Sequence, residues 1–372
     1  MNKNEENCIF IDGRAFGPQK PLVIAELGTA HNGDIAKAKE MTAAAVQAGA
    51  DCVKFQMVFA DEILHPNTGE VTLPGGKIRL YDRFKALETP VEFYVEVKEY
   101  IESLGLLFLC TPFGLKSASI LRGLQPKIVK IASPELNFTS LLEEIADWKL
   151  PVLLSSGVSM LSDIEQAVSI LKPRANLCLL HCVTSYPAPV TDYNLRVLKN
   201  LSAIFGVPVG VSDHSAEADI VPALAVSMGA AVVEKHFCLS RKDPGLDDPI
   251  ALPPEEFSRM TEAVRSAAQV GPEETIALYS REKGEALIQR ILGNGVKELA
   301  PSEKDNYRFT NRSIHALRDI RQGELLKRSD YAVLRSEKNL RPGLEPRWEK
   351  MLEGRTARSD IPAGEGIRFE DI

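Results

Sequence analysis

Eight times between residues 22 and 268 a short apolar run is followed by a helical pattern. The runs cover 22–25, 52–55, 106–109, 127–131, 151–154, 177–180, 208–211 and 231–234; the helical stretches cover 34–47, 91–103, 115–121, 138–146, 161–171, 195–204, 218–228 and 254–268. A strand buried on both faces has no polar face to alternate, and parallel neighbours need a crossover helix between them. Eight such units in series predict an α/β fold, a (β/α)8 TIM barrel. No Gly-x-Gly-x-x-Gly follows the first run, which argues against a dinucleotide-binding sheet. Residues 8–17 read as a hairpin that plugs the N-terminal mouth of the barrel.

The pattern changes after Gln269. The barrel is assigned to 1–270, and a charged, partly helical linker to 271–307. A small C-terminal β-rich unit is assigned to 308–372. That unit repeats a turn phrase, Asp319-Ile320-Arg321-Gln322-Gly323-Glu324 and Ser359-Asp360-Ile361-Pro362-Ala363-Gly364-Glu365. It is small enough to need support from a neighbour.

The formal net charge is −7 and no Lys/Arg block stands out, so no nucleic-acid partner is expected. The polar start, Met1 to Asn7, does not read as a secretory signal, and no apolar run is long enough to span a bilayer. The six cysteines form no Cys-x-x-Cys pair and read as buried free thiols of a cytoplasmic protein. Cys178 and Cys182 lie in a predicted strand, which argues against zinc there.

In such a barrel the chemistry sits at the C-terminal ends of the strands. Here those ends carry Glu26, then Lys54 and Gln56, then Thr111, then Lys130, Ser133 and Glu135. Ser155, Thr184 with Tyr186, Ser212 with His214, and Glu234 with His236 follow. Singly, a Ser or Thr after a strand is usually a helix cap and a His a packing residue. As a set they call for another reason, because charges within apolar strands are costly unless they serve one another or a ligand. Two lysines among hydroxyls at Thr111, Ser133, Ser155, Thr184 and Ser212 suit a phosphate and a carboxylate. His214 and His236 close consecutive strands about 4.8 Å apart. They can share a divalent ion or make two separate hydrogen bonds; a His/oxygen site with open positions suits manganese, iron or zinc as a Lewis acid.

Several phrases together resemble the N-acetylneuraminate (sialic acid) synthase family. They are Ile24-Ala25-Glu26 with His31-Asn32-Gly33, Ala48 through Gln56, Lys130-Ile131-Ala132-Ser133 and His181-Cys182. Tyr186-Pro187-Ala188-Pro189, Ser212-Asp213-His214 and Glu234-Lys235-His236-Phe237 continue the series. The tail, with Asn311-Arg312-Ser313, resembles the antifreeze-like (SAF, β-clip) domain. The resemblance implies a transferase that joins phosphoenolpyruvate to N-acetylmannosamine or a related amino-sugar aldehyde and releases phosphate. Lys54, Thr111, Lys130, Ser133, Ser155, Thr184 and Ser212 would hold phosphoenolpyruvate. Glu26, Gln56, Tyr186 and Asp247 would face the sugar, and Glu135 and Glu234 would handle protons or orient groups. His214 and His236 would hold manganese, with magnesium or cobalt as alternatives. Arg312 would reach the sugar amide from the partner subunit of a domain-swapped homodimer.

The phrase Gly245-Leu246-Asp247-Asp248-Pro249-Ile250-Ala251-Leu252 departs from the family pattern at Leu246 and Ala251, and residues 65–85, with Gly75-Gly76, offer further variable sugar contacts. A legionaminic- or pseudaminic-type acceptor is therefore the alternative. A metal-dependent aldolase or aldose isomerase explains the histidines but not the paired lysines. A non-enzymatic carbohydrate- or ice-binding protein explains the tail alone.

Overall fold

The computed structural model describes residues 7–73 and 76–372. The N-terminal segment 1–6 and Gly75, on which two of the sequence readings fall, lie outside the described residues. The barrel strands are β1 (Leu22–Gly28), β2 (Cys52–Met57), β3 (Leu107–Pro112), β4 (Val129–Ile131), β5 (Val152–Ser155), β6 (Leu177–Cys182), β7 (Val209–Asp213) and β8 (Ala230–His236). They form one sheet in the order β3-β2-β1-β8-β7-β6-β5-β4, every neighbouring pair parallel. The edge strands β3 and β4 lie against each other without a ladder, so the barrel is nearly closed. The eight-unit reading is borne out.

Alternation along the strands divides the barrel interior into two halves. Toward the N-terminal ends it is apolar: Leu22, Ile24, Cys52, Leu107, Leu109, Leu153, Cys178, Leu180 and Val232 form one cluster. The expected hairpin, Ile9–Ile11 paired with Arg14–Phe16, adds Ile9, Ile11 and Phe16 to that cluster and plugs the barrel. Toward the C-terminal ends the interior positions become charged. The ladders set Glu26 beside both Lys54 and His236, Ser212 beside Glu234, and Gln56 beside Thr111.

The shell helices are α1 (Ile35–Gln47), α2 (Val91–Ser103), α3 (Leu115–Gly123), α4 (Thr139–Ala146), α5 (Leu161–Leu171), α6 (Val197–Phe205), α7 (Ile220–Ser227) and α8 (Pro254–Val270). Every residue of α7 is buried. The reason lies in the charged, partly helical segment from 271, which forms two helices, α9 (Pro272–Lys283) and α10 (Glu285–Leu292). Gly271 and Gly284, with φ of 87° and 94°, make the breaks between helices. Helix α9 packs with α8 over α7, so α7 is apolar all round. Helix α10 is tied down where Leu195 N and Arg196 N donate to Ile291 O and Leu292 O. The irregular part of this segment starts near Gly293.

The C-terminal unit pairs β9 (Arg312–Ala316) antiparallel with β10 (Tyr331–Arg335), and turns and isolated bridges complete it. It rests on the mouth of its own barrel. Asn137 Nδ2 donates to Arg312 O at 2.8 Å, and Ser140 Oγ donates to Glu349 at 2.7 Å. Among the described residues no helix is long and apolar enough to cross a membrane.

Arg312 is the bolt of that contact. Its side chain and that of Glu135 are both fully buried, 2.9 Å apart, and its Nη1 and Nη2 also donate to Glu62 O and Phe113 O at 2.5 and 2.6 Å. Removing Arg312 takes one of two arginines from the buried Glu135 and leaves the carbonyls of Glu62 and Phe113 without that donor. Arg312→Met is expected to lower unfolding stability by roughly 3–5 kcal/mol and to expose residues 293–311 to protease. Denaturant melts and limited proteolysis check this; a loss under about 1 kcal/mol with an intact linker rejects the bolt.

Candidate active site

The charged half of the barrel interior holds a compact ionic cluster. Lys54 Nζ lies 3.1 Å from Glu26 Oε2 and 2.8 Å from Glu234 Oε1. Lys130 Nζ donates to Ser155 Oγ at 2.7 Å and lies 3.8 Å from Glu234 Oε1, which also accepts from Ser212 Oγ at 2.9 Å. All six residues are buried. Glu26 Oε2, Glu234 Oε2 and Thr111 Oγ1 are buried without an aligned hydrogen bond, the mark of a site built for more than its own residues.

Electrostatics separates the four charges. Burial alone raises both carboxyls. At Glu234 the nearby Lys130 and Lys54 outweigh it and hold the group well below the usual carboxylate range. At Glu26 burial wins and the carboxyl stays raised, despite Lys54. Burial lowers both lysines as well. The two carboxylates outweigh it at Lys54 and hold that ammonium up, whereas Lys130 falls to about 8. Glu234, read as a proton handler, is therefore pinned as an anion by its lysines; Glu26 is the carboxyl poised to hold a proton.

Beside this cluster lies a pocket bounded by hydroxyls. Gly157 N donates to Ser133 Oγ at 3.0 Å. A Cβ added at Gly157 would fall 2.1 Å from Thr184 Oγ1, 2.9 Å from Ser133 Oγ and 3.2 Å from Cys182 Sγ. Glu26, Gln56 and Asp247 converge around Gly28, whose φ of +54° needs glycine, and Gln56 Nε2 donates to Glu26 Oε1 at 2.6 Å. The chain thus brings together the residues assigned to phosphoenolpyruvate and those assigned to the sugar.

The two strand-end histidines face each other, ring centroids 5.5 Å apart. His214 Nδ1 is 2.9 Å from Val183 O, a bond that requires the proton on Nδ1 and leaves the Nε2 lone pair free. His236 is pushed well below the usual imidazole range by burial and by His214, and Asp247 Oδ2 lies 3.8 Å from its Nδ1. Tyr186 stacks on His214 at 4.3 Å. Among the described residues no group of three or more side chains is already gathered as a metal site. The pair fits a divalent ion as two neutral nitrogen ligands, with water and substrate oxygens needed for the rest. His31 and His181 fill packing roles: His31 stacks on Phe93 at 4.4 Å, and His181 Nε2 is 2.6 Å from Tyr193 O.

Arg312 does not reach the sugar-facing residues. Its guanidinium is spent on Glu135 and backbone carbonyls. The arm also lies on its own barrel, so these contacts run within one chain; an exchange of arms between two chains would reproduce each of them across the dimer axis. Sequence reasoning missed Arg335, at the end of β10. Its Nη2 donates to Glu135 Oε1 at 2.6 Å, its side chain is 11% exposed, and its Nε has no partner. Its charge is felt at Tyr186, so it stands on the Tyr186 side of Glu135. The signal was present: an arginine interrupts the apolar run Tyr331-Ala332-Val333-Leu334. A separate cleft of about 610 Å³ lies between α5, the linker and the arm, lined by Tyr307, Arg308 and Trp348; it contains none of the ionic cluster.

The chain belongs to the NeuB family, whose model matches residues 41–274, and it ends in a SAF domain matched over 311–372. It is similar to the N,N'-diacetyllegionaminic acid synthase of Legionella pneumophila, 32% identical, with 94% of each chain covered. Among solved structures it is similar to the spore coat polysaccharide biosynthesis protein SpsE of Bacillus subtilis, with 31% identity, a TM-score of 0.81 and coverage of 98% and 99%. The N-acetylneuraminic acid synthetase of Leptospira borgpetersenii, in complex with citrate, matches with 31% identity, a TM-score of 0.65 and coverage of 80% and 94%.

Gly157→Ala needs no left-handed φ, but its Cβ would fall 2.1 Å from Thr184 Oγ1 and 2.9 Å from Ser133 Oγ, so these buried hydroxyls must shift. It fills the hydroxyl pocket and should weaken phosphoenolpyruvate binding by at least about tenfold, as misplaced contacts of this kind do. Calorimetry measures this, and unchanged affinity removes the pocket from the binding site.

Proposed function

We propose that this chain condenses phosphoenolpyruvate with an amino-sugar aldehyde, forming a nine-carbon 2-keto acid and releasing inorganic phosphate. The observation that carries the reading is the buried cluster of Lys54, Lys130, Ser155 and Ser212 beside the partnerless Thr111 hydroxyl, within reach of His214 and His236. Lys54 and Lys130 bind the phosphate and carboxylate, with Thr111, Ser133, Ser155, Thr184 and Ser212 supplying hydroxyl contacts. Glu26, Gln56, Tyr186 and Asp247 orient the aldehyde, and Arg335 joins them from the arm.

The C2=C3 electron pair of phosphoenolpyruvate forms the new bond to the aldehyde carbon, whose oxygen takes a proton. Water adds at the cationic C2 and loses a proton, and the tetrahedral centre expels phosphate with cleavage of the C–O bond. Glu26, with its raised carboxyl, is placed to give the first proton, and Glu135 Oε2, without a partner, to take the second. Manganese or a similar ion held by His214 and His236 would act as a Lewis acid on the aldehyde oxygen. The acceptor is N-acetylmannosamine or a related hexosamine. The legionaminic- and pseudaminic-type acceptors form the second reading, favoured by relatives of those names at 32% and 31% identity. We place the enzyme in the cytoplasm, as a homodimer.

Phosphate release is expected from phosphoenolpyruvate with at least one member of a hexosamine panel, lost in chelator and in His214→Ala and His236→Ala. With oxygen-18 in the bridging position of phosphoenolpyruvate, the label should leave with the phosphate. Unlabelled phosphate, or full turnover in chelator, contradicts the reading.

The fall of Lys130 to about 8 sets a pH dependence. Below that value the ammonium is charged and binds the anion; above it the free enzyme loses the charge. The kcat/KM for phosphoenolpyruvate is therefore expected to fall as pH rises through about 8, with kcat less affected because bound anion holds the proton on Lys130. A flat kcat/KM profile to pH 9.5 rejects the assignment.

A further inference from the structure

Val158, which follows Gly157 in the hydroxyl pocket, holds φ at 42°. For a β-branched residue this left-handed conformation is a genuine outlier, and such strain persists only where the surroundings over-determine it. What surrounds it is the linker to the arm. Glu303 Oε1 accepts from Val158 N at 2.8 Å, and Asn311 Nδ2 donates to Val158 O at 3.0 Å. The same two-sided grip recurs at Thr184. Glu303 Oε1 accepts from Thr184 N at 2.6 Å, and Asn306 Nδ2 donates to Thr184 O at 3.3 Å. Both peptide segments bordering the pocket, one after β5 and one after β6, are thus pinned at N–H and C=O by Glu303 and Asn306 of the linker and by Asn311 at the start of the arm. Glu303 is 1% exposed, and its Oε2 accepts from Ala300 N at 3.2 Å, which closes the linker's own turn. The buried Lys297 ammonium, without a hydrogen bond, feels the charge of Glu303. Neither Glu303 nor Asn306 stands at a strand end, and neither was singled out by its sequence.

We propose that the linker, through Glu303 with Asn306 and Asn311, is a positioning device for the phosphoenolpyruvate pocket. It holds Val158 and Thr184 in the geometry that gathers Thr184 Oγ1 and Ser133 Oγ, the latter held by the Gly157 amide, around one point. The arm is therefore coupled to the anion pocket as well as to the sugar side, and a chain whose linker is displaced binds phosphoenolpyruvate poorly even with its ionic cluster intact. Glu303 is a positioning residue, since it acts through backbone it holds.

The inference rests on the phosphoenolpyruvate reading above, and its test separates the two. On the full chain, calorimetry gives the affinity for phosphoenolpyruvate, and steady-state kinetics gives the KM for the acceptor aldehyde found in the panel. Wild-type protein that does not bind phosphoenolpyruvate overturns that reading and this one with it. With wild-type binding, Glu303→Gln places an amide NH2 among three backbone donors. It is expected to weaken phosphoenolpyruvate roughly tenfold or more, while the acceptor KM stays within about twofold. Val158→Gly, which removes the strain, is expected to return most of that loss in the double variant. Unchanged phosphoenolpyruvate affinity in Glu303→Gln, equal losses for both substrates, or no recovery in the double variant overturns the positioning role.

Discussion

Two ammonium groups inside a plugged barrel are the constraint from which the rest follows. Lys54 and Lys130 lie on the interior face, 4% and 1% exposed, and a charge so placed is tolerated only when paired and hydrogen-bonded. Glu234 meets both, Glu26 meets one, and Ser155 and Ser212 complete the contacts. The ladder registers that set Glu26 beside Lys54 and Ser212 beside Glu234 are thus fixed twice, once by backbone pairing and once by charge. A slip of one residue would turn these groups toward the helices and the apolar set of the shell inward. The apolar lower half, sealed by Ile9, Ile11 and Phe16, closes off water from below, so the lysines are open only toward the mouth.

Glu135 is the second pivot. One oxygen takes bonds from Arg312 and Arg335, both brought by the arm, and a single carboxylate thereby ties β4 to β9 and β10. The two arginines divide the work by position. Arg312 saturates its guanidinium on Glu135 and carbonyls, while Arg335 keeps Nε unpartnered near Tyr186. Reading function from residue type alone cannot tell such a pair apart, because both are arginines of one small domain. Only the count of satisfied donors does so.

The barrel was legible because its signal is local and repeated: eight apolar runs, each with a helix behind it. The strand-end polar residues were legible because each interrupts such a run, as Lys54 does in Cys52-Val53-Lys54-Phe55. Two kinds of feature were not. The packing of α9 and α10 was one: their charged, Gly-broken sequence reads as a partly helical linker, and their inward side becomes evident only against α7, a helix buried at every residue and in need of cover. Glu303, Asn306 and Asn311 sit in irregular backbone with no periodicity to mark them. Their meaning depends on the contact of Glu303 with Thr184, 119 residues distant in sequence.

The charge balance of the ionic cluster bears on how it receives a ligand. Fully ionised, Lys54 and Lys130 are matched by Glu26 and Glu234, so the cluster offers no net positive charge to an anion carrying both a phosphate and a carboxylate. An excess must appear as the anion enters. Glu234 cannot supply it, because both lysines hold it ionised. Glu26 can, since burial already raises its carboxyl and its Oε2 has no aligned hydrogen bond. A proton taken up there releases Lys54 from one partner and leaves it for the ligand. The same proton turns Glu26 from an acceptor into a donor beside Gln56 and Asp247, which is where the proposed function sets the aldehyde. Anion binding and activation of the second substrate are then linked through one carboxyl. This gives a physical reason for a glutamate, rather than a neutral amide, at the end of the first strand.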